Sequence, residues 1–142
     1  MSSAATTPAG DSSTARRFPK RSRVRSRVEF DRVFDGGRRA PSPAALVLAL
    51  ENGADASRIG VSIAKKYGTA PRRNRARRLV REAFRLDRPA WPPGHDFVVV
   101  PRAPAFPDRL DAVRALLKDL AHRAVTGPRQ RPRPDRRRKR RR

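Results

Sequence analysis

The densest chemistry in the chain lies between Arg72 and Arg85, where RRNRARRLVREAFR carries seven arginines in fourteen residues. Guanidinium groups stay protonated at any working pH, so they are poor general bases. Their planar fork instead matches two oxygens of a phosphate or carboxylate at once. Read at helical spacing, Ala76, Leu79, Val80, Ala83 and Phe84 fall at i, i+3, i+4, i+7 and i+8 and form one apolar stripe. Arg72, Arg75, Arg78, Arg81 and Arg85 are left on the opposite face, with Arg73 and Arg77 at its edge. Arg78 and Glu82 have the spacing of an ordinary i, i+4 ion pair. One acid cannot offset seven arginines, and like charges at this spacing repel, so the face suits a phosphate backbone better than bulk water.

Groups for independent catalysis are missing from the sequence pattern. The two histidines, His95 and His122, stand far apart; His122 falls on a C-terminal helical pattern and reads as a surface or packing residue. The acids are scattered singly, which does not favour a carboxylate cluster for a metal, and the turn at Gly68 lacks a glycine-rich phosphate loop. Absent cysteines exclude disulfides and thiolate metal sites. The expectation is a binding protein with no catalytic residues and no metal ligands of its own.

The charge balance agrees. The chain has 142 residues and a formal net charge of +23, a field that opposes compaction unless a polyanion neutralises it. Residues 18–125 hold 24 basic and 11 acidic residues, so the part expected to fold is basic in its own right. Arginine outnumbers lysine 31 to 5, a bias that bidentate phosphate contacts and a GC-rich genome would each produce. The first 17 residues have no apolar signal-peptide core, and no run approaches the roughly 18 apolar residues of a membrane span. A cytoplasmic protein without membrane contact is expected.

Several elements must position these groups. A Ser/Thr/Ala/Gly-rich segment over 1–17 lacks periodicity and is expected to be disordered. Ser26 and Glu29 have capping-box spacing, and Phe30, Val33 and Phe34 follow at i, i+3, i+4 before Gly36-Gly37, predicting a short first helix. Ala44 to Leu50 is an apolar run between prolines and Asn52-Gly53, predicting a buried strand. From Arg58 to Ala64, Ile59, Val61 and Ile63 alternate with Gly60, Ser62 and Ala64, predicting a strand with one bulky face and one nearly bare face that admits close approach to the backbone. Thr69 is placed to cap the arginine helix, with Pro71 in its first turn. Asp96 to Arg102 predicts a third strand, and a last helix runs from an Asp108 cap to the Gly127-Pro128 stop. The predicted order is α-β-β-α-β-α. Residues 126–142, ending in an arginine-rich block, are expected to form a disordered tail, for which general phosphate affinity, a localisation-like patch and no particular role all stay open.

The run GVSIAKKYGTAPRRNRARRLVREAFR (Gly60 to Arg85) closely resembles the signature of the bacterial ribonuclease P protein component, with its Arg-Asn-Arg helix at Arg73-Asn74-Arg75. EFDRVF (Glu29 to Phe34), the preceding strand, DFVVVPR and the last helix arrive in that family's order, so the resemblance covers about residues 18–125. It implies an α/β two-layer sandwich, similar to a domain of ribosomal proteins and translation factors, with a left-handed β-α-β crossover. It also implies a protein that assists a catalytic RNA subunit in the Mg²⁺-dependent removal of the 5′ leader from precursor tRNA, the metal being held mainly by the RNA, with no stable protein partner.

Carried over by motif, the RNA-subunit face comprises Arg72, Arg73, Asn74, Arg75, Arg77, Arg78, Arg81 and Arg85. The leader cleft comprises Phe30, Phe34, Ser62, Lys65 and Lys66. By spacing, Phe30 and Phe34 fit a core-facing stripe as well as a base-stacking surface. Ala44 to Leu50 lacks the aromatic often placed in that strand, and Thr69 and Pro71 replace the usual Asn and aliphatic residue of the turn. A ribosomal or nucleoid-associated protein would share the size, charge and tail, but it would need only basic residues. It would not need Gly60, Ser62, Lys65-Lys66, Gly68 and the Arg-Asn-Arg helix together in order.

Overall fold

The computed structural model describes residues 22–127; the expected disordered segments, other than Thr126 and Gly127, lie outside them, as do residues 18–21 of the predicted domain. The elements are α1 (Arg27–Gly36), β1 (Arg38–Pro41), β2 (Ala45–Glu51), β3 (Arg58–Val61), α2 (Ala70–Asp87), β4 (His95–Pro101) and α3 (Leu110–Thr126). Short 3-10 turns occupy Lys65–Tyr67 and Arg88–Ala90.

The four strands form one mixed sheet in the order β1-β2-β4-β3. β2 is antiparallel to β1 and to β4, while β3 runs parallel to β4. The β3-α2-β4 segment therefore returns to a neighbouring parallel strand, and β4 is central. The three predicted helices and three predicted strands are all present, and the class is α+β as expected.

The predicted order lacked one strand, β1. Its sequence, Arg-Arg-Ala-Pro, has neither alternation nor β-branched residues. It is a strand because β2 offers it an edge, and an edge position tolerates Pro41, which has no N–H to donate. Ala40 points into the core, and Arg38 donates from Nη1 to the Val125 carbonyl near the end of α3.

The helices divide between the two faces of the sheet. On one face α2 and α3 enclose the larger core, including Val47, Ile59, Val80, Phe84, Phe97, Val99, Val113, Leu117 and Leu120. Trp91 joins it with edge-on contacts to Phe84 and Phe97, at centroid distances of 4.9 and 5.0 Å. On the other face α1 covers Leu46, Leu48 and Val98 with Val33, Phe30 and Phe34. A sandwich of two layers thus describes the sheet with α2 and α3, and α1 adds a small cover behind it.

The capping box predicted at α1 forms: Ser26 Oγ accepts from the Glu29 N–H at 3.1 Å, and Glu29 Oε1 accepts from the Ser26 N–H at 3.1 Å. Glu29 also binds Arg58 of β3, whose Nη1 donates to Oε2 at 2.7 Å. Arg58 in turn grips Asp96 of β4 bidentately, Nε to Oδ1 at 2.8 Å and Nη2 to Oδ2 at 2.6 Å. This chain of charges fastens α1 to the parallel strand pair. The two backbone hydrogen bonds from Arg25 and Ser26, then the Arg58 contact, lower the Glu29 pKa from 4.5 to about 2.

A depressed carboxylate pKa contributes stability that is present above the unfolded value and lost as pH falls through the folded value. Glu29→Gln, which retains the cap geometry without the charge, should therefore cost about 1–2 kcal/mol at neutral pH. The gap should close between roughly pH 5 and pH 2, and urea unfolding at pH 7 and pH 3 measures it. A gap of equal size at both pH values would exclude the charge as its cause.

Candidate RNA-binding face

The buried stripe of α2 is Ala76, Val80, Ala83, Phe84 and Asp87, close to the predicted one, with Leu79 half-buried beside it. Asp87 ends the helix against α3, accepting both Arg114 donors at 2.9 and 2.7 Å, and that contact holds its pKa below the ordinary carboxylate value.

With this stripe facing inward, the arginines occupy two shoulders as well as the outer crest, and Arg81, predicted on the outer face, joins the edge residues Arg73 and Arg77. Arg73, Arg77 and Arg81, at i, i+4 and i+8, are half-buried along one shoulder. Asn74 and Arg78 are exposed, and Asn74 Oδ1 accepts from Arg77 Nη1 at 3.0 Å. Arg85 is half-buried and takes Glu82 as its partner, Nε to Oε1 at 2.9 Å. The i, i+4 spacing had offered Glu82 to Arg78, yet Arg85 captures it from the next turn. Arg72 and Arg75 lie exposed on the other shoulder, the Arg72 stem passing against Gly68.

No carboxylate among the described residues pairs with Arg72, Arg73, Arg77, Arg78 or Arg81. Burial first, then the charges of Arg23 and Arg77, push the Arg81 pKa below the ordinary guanidinium value. Arg23 is a contributor that the sequence pattern did not single out. It precedes α1 without periodicity, and a bridge to Ile59 of β3 ties it to the sheet.

The predicted cleft residues divide as well. The Phe30 ring lies over Gly60, where an added Cβ would stand 2.8 Å from Phe30 Cζ and 2.9 Å from Val24 Cβ. The bare face of β3 thus admits the protein's own Phe30 and Val24. Phe34 packs beside Leu46 and Leu48, and its carbonyl accepts from Arg39 Nη2 at 3.4 Å. Ser62, half-buried, donates its N–H to Val99 just beyond the end of β3. Lys65 and Lys66 are exposed in the 3-10 turn before α2.

Neither histidine acts as part of a charge cluster: His122 Nε2 lies 2.8 Å from the Ala90 carbonyl and His95 Nδ1 2.7 Å from that of Pro93. Among the described residues no group of His, Cys, Asp or Glu is placed to hold a metal ion, and no helix is long and apolar enough to cross a membrane.

A mixed sheet backed by a helix with a largely uncompensated arginine surface defines a small α+β domain of the class suited to binding a polyanion such as a nucleic acid. The Ribonuclease P family model matches residues 18–125, and the chain belongs to that family. It is 41% identical over 85 residues to the Ribonuclease P protein component of Thermotoga maritima, covering 60% of this chain and 73% of the relative. It is 37% identical over 118 residues to that of Xanthomonas axonopodis pv. citri, covering 82% and 80%. Among solved structures, the ribonuclease P protein of Thermotoga maritima superposes with a TM-score of 0.64 at 36% identity, covering 70% of this chain and 96% of that one. The Staphylococcus aureus protein superposes at 0.63 and 26% identity, covering 70% and 91%.

Proposed function

We propose that the chain is the protein subunit of ribonuclease P, binding the catalytic RNA through α2 and the 5′ leader of precursor tRNA along the α1 side of the sheet. The observation that carries this reading is the arginine shoulder of α2, where cations at helical spacing lack the acids that would neutralise them. Folding them together is unfavourable by itself and is offset when phosphates arrive. Arg72, Asn74, Arg75, Arg78 and Arg85 flank that shoulder, and the RNA supplies hydrolysis with Mg²⁺ that it holds.

Phe30 and Phe34 are only half-buried, so their free edges can stack on leader bases without demanding a sequence, while Ser62, Lys65 and Lys66 line the route toward α2. A subunit acting on precursor tRNA would work in the cytoplasm, where that substrate is made.

Cleavage of precursor tRNA at low Mg²⁺ by the cognate RNA, with and without this protein, tests the reading. Stimulated cleavage at the mature 5′ end, with none from the protein alone, is expected. Tight RNA binding without stimulation would favour a structural ribosomal or nucleoid role.

A further inference from the structure

The start of α3 departs from what its sequence predicts. Asp108 is the residue offered as a cap, yet Arg109 takes the N-cap position and makes no side-chain capping bond. Asp108 is engaged elsewhere. Its carboxylate accepts from Arg75 Nε, and its backbone carbonyl accepts from Arg75 Nη2 at 3.1 Å. The Nε/Nη2 side is one of the edges by which a guanidinium grips a phosphate bidentately, and on Arg75 it is already filled.

The contact is built into the fold. Phe106, two residues earlier, is buried, donates its N–H to the Arg102 carbonyl at 2.9 Å and meets Tyr67 edge-on at 6.5 Å. Asp108 is therefore held over the first turns of α2 by a loop anchored in the core. The Tyr67 hydroxyl pKa, raised first by burial and then by Asp108, is consistent with a carboxylate at that place. Both partners remain open to water, with Arg75 58% and Asp108 77% exposed, so a ligand can reach and exchange them.

We propose that Asp108 is an intramolecular competitor for RNA: it occupies one phosphate-gripping edge of Arg75 and thereby limits how tightly α2 holds a phosphate backbone. The inference rests on the RNA-binding reading above. An exposed ion pair is weak enough to be displaced. Displacement leaves the Asp108 charge beside RNA phosphates, where it takes up a cation and cancels one of the counterions that binding releases.

Asp108→Asn keeps the shape and an amide oxygen for Arg75 but removes the charge. Binding to ribonuclease P RNA at low salt should become about two- to five-fold tighter. The slope of log affinity against log salt should steepen by about one unit. Arg75→Ala in the same background should abolish both changes. Weaker binding would make Asp108 a positioning residue for Arg75, and unchanged affinity and slope would make the pair a bystander; either overturns the inference. Arg73→Ala is measured alongside: if it leaves affinity intact, the RNA face itself has been misplaced, whereas its loss of affinity with an inert Asp108→Asn overturns the competitor alone.

Discussion

Replacing Arg73, Arg77 and Arg81 together by alanine is expected to weaken binding to the ribonuclease P RNA by about a hundredfold or more near physiological salt, and to flatten the salt dependence by about two to three units. These three guanidiniums follow one another at i, i+4 and i+8, and none has a carboxylate partner among the described residues. Each is therefore free to neutralise a phosphate without first giving up an internal acid.

Stability should move the other way or not at all. Alanine is the best helix former, and the substitutions relieve the desolvation of the Arg81 charge and its repulsion by neighbouring arginines. A salt titration of RNA binding beside a urea melt separates the two effects. Affinity within twofold of the parent, at an unchanged slope, would remove this shoulder from the interface.

The second large effect is expected at Gly60. A side chain there would drive its Cβ into the Phe30 ring and the Val24 Cβ, both closer than 3 Å. Val24 presents its own Cβ, which cannot swing away as a flexible tip would. Gly60→Val should therefore cost about 2–3 kcal/mol despite the better strand propensity of valine, which is worth at most about 1 kcal/mol.

The damage should be local to the α1 side. Under the proposed division of the surface, precursor tRNA should bind less well while the RNA subunit, assigned by that proposal to α2 on the other side of the sheet, should bind as before. A variant as stable as the parent would mean that Phe30 is not seated on Gly60, and the account of the α1 face would have to be redrawn.

Periodicity made much of this visible beforehand. The stripe of α2 was readable because alanine, leucine, valine and phenylalanine recur at 3.6-residue spacing, and the α1 capping box because Ser26 and Glu29 satisfy each other locally. Where an element owes its state to a partner, the signal vanished. Arg38–Pro41 is a strand only because β2 provides an edge, and the N-cap of α3 falls at Arg109, one residue after the apparent cap Asp108, which is taken by Arg75.

The candidate site divides along the same line. The sequence by itself determined the chemistry of this protein: which residues are cationic, that α2 must turn its apolar stripe inward, and that the motif from Gly60 to Arg85 places it among ribonuclease P proteins. Local spacing controls those properties, because helix faces depend only on neighbours a few residues away. The tertiary structure alone decided which arginines are left uncompensated. Glu82 goes to Arg85, Asp108 to Arg75, and Arg23 is brought toward Arg81 from 58 positions away in the chain. Charge pairing is a matter of a few ångströms across elements, a distance that sequence separation does not encode.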